Sequence, residues 1–251
     1  MKISKVIVSS DENPLYLDFW PVISKIWSEF FNIEPILAII SNNEEILNKI
    51  EKKYGQIIRF DIVNDVPIYL QALWVRYWLP KNYPNDVCMI SDIDMIPISK
   101  WYFIEQIKNI NNEHYVHLNP CLHNYGTLPS CYHVAKGHLF NEILELDEEW
   151  QDSILNLNKL NIGRNPGGFL EGKNKWFSDE EYSSDLILKW GKKNSNKFHL
   201  IEREDNRRID RSFWKYDKIL LKNNYYYDSH SIRPYSDYKK DIDELVKLIM
   251  L

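Results

Sequence analysis

Apolar residues recur along this chain in two alternating rhythms. Ile3 to Val8 reads as a short strand, and Ser9-Ser10-Asp11-Glu12-Asn13-Pro14 ends it in a loop of helix-capping residues. From Leu15 to Phe31 the residues Tyr16, Phe19, Trp20, Ile23, Trp27 and Phe30 fall at helical intervals, with Pro21 at an early turn or kink. Pro35 to Ile40 predicts a second strand. Asn42-Asn43-Glu44-Glu45 caps a helix running through Lys53 and closed by Gly55, and Ile57 to Ile62 gives a third strand. Strand, helix, strand, helix, strand predicts an α/β fold on a mainly parallel sheet with right-handed crossovers. Such sheets bind ligands beyond the carboxyl ends of their strands, where the Ser9 to Asn13 loop falls.

A helix from Ile68 to Leu79 follows Asp65-Val66-Pro67 and is apolar nearly all round, so most of its faces should be buried. Arg76 is its one charge. It should either find an anion, a nearby carboxylate or a diphosphate, or snorkel to solvent. Val87 to Ile90 then has the pattern of a strand covered on both faces. Where that strand ends, Ser91-Asp92-Ile93-Asp94-Met95-Ile96-Pro97 sets two carboxylates at i and i+2. On extended backbone the two would project to one side. Two close carboxylates repel and raise one pKa unless a cation lies between them, and Mn²⁺ or Mg²⁺ suits such oxygen donors. The competing reading is a pair of ordinary turn residues. The buried strand before the pair, and a proline after it that cannot continue as an interior strand, weigh for the metal.

Downstream, Trp101 to Ile110 reads as a helix, Tyr115 to Leu118 as a strand, Asn119 to Gly126 as a loop and Leu128 to Gly137 as a further strand and turn. His117, His123, His133 and His138 lack the i, i+4 spacing of a helical metal pair and read as structural or surface residues. Phe140 to Leu157 is helical. Gly163-Arg164-Asn165-Pro166-Gly167-Gly168 is not a P-loop and reads as a loop beside the site. Ser178 with Glu181 forms a capping box, which leaves Asp179 and Glu180 without a structural explanation. After a strand at Phe198 to Glu202, Arg203, Arg207, Arg208 and Arg211 crowd around Glu204, Asp205 and Asp210, the composition of a solvated ion-pair surface, with binding of a phosphate or of the acceptor as the competing reading. Tyr225 to Tyr235 turns from aromatic to polar and carries His230 and Arg233. A second Asp-x-Asp, at Asp241-Ile242-Asp243, has no buried strand before it. It reads as an acidic helix N-terminus without metal.

Composition narrows the chemistry. The length of 251 residues suits one large α/β domain. A net charge of -5 argues against a polyanion such as nucleic acid as a partner over a broad surface. The aromatic content, 14%, supplies rings of the kind that stack on bases or sugars. Cys88, Cys121 and Cys131 form no C-x-x-C pair and no disulfide framework, so zinc is not indicated and a reducing, cytoplasmic setting is expected. The N-terminus turns polar too early for a signal peptide, and no apolar run is long enough to span a bilayer.

The order of strand and Ser/Asp loop, apolar helix with Gln71 and Arg76, then Met89-Ile90-Ser91-Asp92-Ile93-Asp94-Met95-Ile96-Pro97, resembles nucleotide-sugar-dependent glycosyltransferases of the GT-A fold. The match looks closest to small stand-alone transferases of large DNA viruses and bacteria. The resemblance covers most of the chain, and its sharp motif is the Asp-x-Asp segment. It implies one catalytic domain over 1–251, with a nucleotide-sugar-binding half at 1–98 and an acceptor-side half with a closing segment at 99–251. It also implies a Rossmann-type, mixed sheet flanked by helices. Metal would be held by Asp92, Asp94 and a C-terminal His230. Ser9, Ser10, Asp11 and Asn13 would meet the base and ribose, Arg76 and Arg233 the phosphates, and Asp179 or Glu180 sugar or acceptor hydroxyls. The expected partners are a nucleotide-sugar donor, UDP-linked, and a glycan or glycoprotein acceptor. A nucleotidyltransferase is the rival enzyme, though no early G-x-G or basic loop is present to hold a triphosphate. A carbohydrate-binding protein without catalysis is the rival outside enzymes.

Overall fold

The computed structural model describes residues 1–118, 126–146, 148–160 and 177–251. Ten strands are present among them: β1 (Lys5–Ser10), β2 (Glu34–Ile40), β3 (Gln56–Phe60), β4 (Val87–Ile90), β5 (Met95–Pro97), β6 (Tyr115–Leu118), β7 (His133–Lys136), β8 (Phe198–Ile201), β9 (Arg208–Asp210) and β10 (Asp228–His230). Seven build the main sheet in the order β3-β2-β1-β4-β7-β6-β8. All neighbours run parallel except β7, which is antiparallel to both β4 and β6. The predicted mixed, mainly parallel sheet is therefore present. The chain leaves β1 toward β2 and β3, then returns to the other side of β1 as β4. That reversal opens a crevice at the carboxyl ends of β1 and β4.

Alternation along the strands sorts the core into two layers. Val6 and Val8 of β1 and Leu37 and Ile39 of β2 pack with Trp20, Ile23 and Trp27 and with Ile242 and Leu245 of the C-terminal helix. Ile7, Ile36, Ala38 and Ile40 face the other way, onto Leu70, Trp74 and Tyr77 of the helix Ile68–Trp78 and onto Phe140 and Ile154. Helices on both faces explain why the strands read as continuous apolar runs.

A second, three-stranded sheet of order β5-β10-β9 lies beyond β4. β10 is antiparallel to β5 and parallel to β9, with His230 opposite Met95 and Asp210. Pro97 ends β5, an edge strand, where a missing N–H costs nothing. This sheet was not predicted, because three-residue strands are too short to show a period.

Several predicted boundaries are corrected. The helix expected over Leu15 to Phe31 is three pieces, Pro14–Leu17, Trp20–Lys25 and a π-helical turn Ile26–Phe30. The helix capped by Asn43 ends at Lys49, and Gly55 does not close it. A Cβ on Gly55 would stand 2.5 Å from the Pro35 carbonyl oxygen, so this glycine serves close chain approach. The Trp101 to Ile110 segment is a short helix, Lys100–Phe103, and a 3₁₀ turn. Within Leu128 to Gly137 only His133–Lys136 is strand. Phe140 to Leu157 is two helices, Gly137–Leu144 and Trp150–Lys159, divided at Glu145, which takes a left-handed φ of 55°. Ser178 is the first residue of the helix Ser178–Lys193, and Phe177 stands at its N-cap position. Asp241-Ile242-Asp243 lies in the helix Tyr235–Ile249 just after its kink at Tyr238, near the start of the segment that follows the kink. The Gly163 to Gly168 stretch, Cys121 and His123 lie outside the described residues.

Candidate active site

A cleft of about 540 Å³ opens at the carboxyl edge of the main sheet. Ser9, Ser10 and Asp11 reach it from the end of β1, Asp92 and Asp94 from the end of β4, and Arg203 from beyond β8. Its volume falls in the range of small-molecule sites, roughly 300–1,000 Å³.

The segment after β4 is a turn, not extended backbone: Met95 N–H donates to the Asp92 carbonyl at 3.2 Å. The expected same-side projection of Asp92 and Asp94 is therefore replaced by two separate attachments. Asp92 Oδ1 takes a hydrogen bond from Arg76 Nη1. Arg76 Nη2 donates to Asp179 Oδ2 at 3.3 Å, and the side chains of Arg76 and Asp179 are 5% and 2% exposed. Arg76 thus finds its anions inside the protein and joins the β4 turn to the helix beginning at Ser178. Ser130 Oγ also donates to Asp179 Oδ2, at 3.1 Å. Burial raises the Asp179 pKa, and Arg76, the Glu180 N–H and Ser130 offset this only in part. Beside it, Glu180 lines the cleft and accepts from Thr127 Oγ1 at 2.8 Å.

Asp94 has the opposite surroundings. Its Oδ2 lies 3.2 Å from Arg211 Nη1, 3.5 Å from His230 Nε2 and 3.6 Å from Arg233 Nη1. The Ser231 N–H donates to the Asp94 carbonyl at 2.9 Å, which stitches the β4 turn to the end of β10. Burial would raise the Asp94 pKa, but His230, then Arg233 and Arg211, outweigh it and hold the carboxyl below its ordinary value. Arg233 also stacks over the Tyr16 ring, 4.8 Å from its centroid.

These residues can be tested against a divalent ion. Mg²⁺ takes oxygen ligands at about 2.0–2.1 Å and is usually held by one or two carboxylates plus substrate phosphates. Asp94 Oδ2 and His230 Nε2 stand within a small closure of sharing one ion. Among the described residues no three His, Cys, Asp or Glu side chains form a ligand group by themselves. The residues fit an ion as a two-donor seat completed by oxygens of the substrate, with Asp92 engaged by Arg76.

The arginines after β8 require a correction. Arg203 and Arg208 are not a solvated surface. Both line the cleft and share one fully buried carboxylate, Asp228. Arg208 donates from Nε to Oδ1 at 3.0 Å and from Nη2 to Oδ2 at 2.6 Å, Arg203 Nη1 donates to Oδ1 at 3.2 Å, and Tyr132 Oη donates to Oδ2 at 2.8 Å. Burial raises the Asp228 pKa, but Arg208, Arg203 and Tyr132 together bring it below its ordinary value. Asp228 carried no sign of this role in the sequence beyond its place in the aromatic segment before His230.

Of the predicted site residues, Ser9, Ser10, Asp11, Arg76, Asp92, Asp94, Asp179, Glu180, His230 and Arg233 line this one cleft. Asn13 does not. Its Oδ1 accepts from the Leu15 N–H at 3.0 Å and caps the Pro14–Leu17 helix. His117 and His133 are buried structural residues, as expected. Burial takes the His117 pKa down to about 4, and His133 sits between Tyr115 Oη at 2.6 Å and the Pro129 carbonyl at 2.7 Å.

No protein-family model matches the chain, and no curated protein matches it. Solved structures do. The galactosyltransferase LgtC, in complex with donor and acceptor sugar analogs, matches at 10% identity and a TM-score of 0.50, covering 98% of this chain and 95% of that one. The glycosyltransferase GlyE of Streptococcus pneumoniae TIGR4 matches at 10% identity and a TM-score of 0.45, covering 84% of this chain. This chain spans about half of GlyE, 48% of its length. The likeness to LgtC extends over the whole sheet and its helices, and the chain has the GT-A type of α/β fold.

Proposed function

We propose that this chain is a metal-dependent glycosyltransferase. It moves a sugar from a nucleoside diphosphate donor, UDP-linked, to a hydroxyl of a glycan or glycoprotein acceptor. The observation that carries this reading is the meeting of Asp94 and His230 at 3.5 Å, from distant parts of the chain, in the crevice where β1 and β4 diverge. Both face the cleft.

In the reaction the bond from the sugar anomeric carbon to the diphosphate oxygen breaks, and the diphosphate leaves with the electron pair. The acceptor oxygen bonds to that carbon and gives its proton to the departing diphosphate or to the Asp179 or Glu180 carboxylate. Asp94 and His230 would hold a divalent ion, Mn²⁺ or Mg²⁺, and the ion would supply Lewis-acid stabilisation of the leaving diphosphate. Arg211 and Arg233 place fixed positive charge beside the same spot, where negative charge grows. Ser9, Ser10 and Asp11, across the β1 end, meet the base and ribose. Arg76 holds Asp92 and Asp179 in one orientation, so that Asp179 and Glu180 present their carboxyl groups to sugar and acceptor hydroxyls.

A panel of nucleotide sugars incubated with the protein and Mn²⁺ tests the reading. Release of UDP from at least one donor is expected. Release of pyrophosphate would make the chain a nucleotidyltransferase, and UDP binding without release would make it a binder. His230→Ala should weaken UDP retention about tenfold, roughly 1.4 kcal/mol, with little change in Tm. An unfolded variant would show His230 to be structural.

A further inference from the structure

The cleft is charged asymmetrically along the main sheet. Ser9, Ser10 and Asp11 stand at the end of β1, and Asp94 with His230 over the end of β4. Arg203 follows β8, the edge strand at the far end of the sheet, with β7 and β6 between it and β4. Arg208 begins β9, the edge of the small sheet away from β5 and the Asp-x-Asp turn. On the reading of the site given above, nucleotide and diphosphate occupy the β1 and β4 ends. The two arginines then stand on the acceptor side.

Two guanidiniums share the one Asp228 carboxylate there, and their side chains are only 6% and 15% exposed. A mostly buried guanidinium is costly unless it is paired and its donors are used. Arg208 spends Nε and Nη2 on Asp228, which leaves its Nη1 donors outside that pairing, and the residue lines the cleft. Arg211, three residues on, belongs instead to the Asp94 end of the cleft. The fork geometry of a guanidinium matches carboxylate and phosphate oxygens. Asp228, itself out of reach of solvent, fixes the Arg208 fork and acts as a positioning residue.

We infer that the acceptor is anionic: a glycan bearing a carboxylate or phosphate group, which docks on Arg208 with Arg203 beside it while its hydroxyl meets the donor sugar. This inference rests on the glycosyltransferase reading, and the experiment separates the two. Binding is measured to matched triplets of oligosaccharides, each with a neutral, a carboxylated and a phosphorylated member, in the presence of UDP and Mn²⁺. The wild-type protein should hold at least one charged member about tenfold more tightly than its neutral parent, a difference of about 1.4 kcal/mol. The member held identifies carboxylate or phosphate as the group. Arg208→Gln should abolish that preference while UDP affinity stays within about twofold, and Arg208→Lys should keep part of it. Asp228→Asn should weaken the preference while a thermal melt shows the protein still folded. Equal binding of neutral and charged members, retention of none of the charged ones, or an unchanged preference in Arg208→Gln would overturn the inference. So would loss of UDP affinity in Arg208→Gln, which would assign Arg208 to the donor. Failure of the wild type to bind UDP at all would instead remove the glycosyltransferase reading, and the inference with it.

Discussion

The tripeptide Asp-Ile-Asp occurs twice in this protein, and its carboxylates meet different surroundings in the two copies. In both, the isoleucine is buried: Ile93 under the sheet end and Ile242 under the C-terminal helix. Around Ile93 the backbone turns between β4 and β5, and each carboxylate meets side chains from other elements: Arg76 for Asp92, and Arg211, His230 and Arg233 for Asp94. Around Ile242 the backbone is helical. Flanking residues lie about 200° apart on the helix, so the carboxylates fall on either side of the buried isoleucine. Asp243 bonds only within its own helix, to Tyr235 Oη at 2.8 Å and Lys239 Nζ at 3.2 Å. An acidic pair gains its chemistry from what the fold brings to it. Position at the end of a central strand, beside the reversal in strand order, is what gathers two arginines and a histidine on Asp94.

Substitution of Asp94 should separate the copies most widely. Asp94→Asn keeps the shape of the side chain and removes its charge. Transfer should fall on the order of 10³-fold, the scale of removing a preorganised contact to developing charge, and Mn²⁺-dependent UDP binding should be lost. Turnover and UDP binding measured with and without Mn²⁺ check this. A variant with normal turnover would place the first motif beside the second as mere structure.

The next largest effect concerns Arg76, which has no counterpart near the second copy. Arg76→Met leaves Asp92 and the buried Asp179 without their shared guanidinium. Loss of one partner from a buried ion pair costs about 3–5 kcal/mol, so the denaturant midpoint should fall sharply. Asp179→Asn should recover part of the loss in the double variant, because the uncompensated buried charge is then gone. Chemical denaturation of both variants measures the recovery, and equal destabilisation of the two would show that Arg76 acts only through packing.

Much of this arrangement was legible in the residues. The apolar periods fixed the order of strands and helices up to β4, and with it the edge of the sheet to which Ser9, Asp92 and Asp94 belong. His230 and Arg233 stood out as polar residues closing an aromatic segment. What could not be read has physical reasons. β5, β9 and β10 are three residues each, so no alternation reveals them, and the pairing of β10 with β5 joins residues more than a hundred positions apart. Asp228 is one acidic residue among many until Arg203, Arg208 and Tyr132 are seen to surround it. Arg203 and Arg208 looked like solvated surface because opposite charges adjoin them in sequence. The helix break at Glu145 lacks the glycine that usually takes a left-handed φ, so composition gave no warning.

A pH scan sharpens the contrast within the first copy's own cleft. Asp94 and Asp179 are both buried, yet their pKa values move apart from the ordinary 3.8. The folded Asp94 carboxyl binds a proton less readily than the unfolded one. Its contribution to stability is present above 3.8 and is lost as the pH falls through its lower folded value. Asp179 is the reverse: its contribution is present below 3.8 and is lost as the pH rises through its higher folded value. In metal-free protein the Tm gap between wild type and Asp94→Asn should therefore narrow on acidification. The gap between wild type and Asp179→Asn should move in favour of the wild type. Melting curves from about pH 6 to about pH 3 read both slopes. Slopes of the same sign would mean that burial alone sets both carboxyls.

The smallest effect belongs to the second copy. Asp241→Asn with Asp243→Asn removes two exposed charges from the helix Tyr235–Ile249 and leaves Ile242 in the core. The Asp243 to Lys239 pair is an i, i+4 contact between half-exposed side chains. Such pairs contribute about 0.3–0.5 kcal/mol, and the Tyr235 hydroxyl can still bond to an asparagine oxygen. The double variant should keep its Tm within about 2 °C, and its turnover and Mn²⁺ dependence should match the wild type. Calorimetry and the UDP-release assay suffice to check it. A loss of metal dependence here would mean that the ion is drawn to Asp-Ile-Asp by sequence alone. Arg211, His230 and Arg233 around Asp94 would then be ordinary pairing at a sheet edge, with no bearing on a diphosphate.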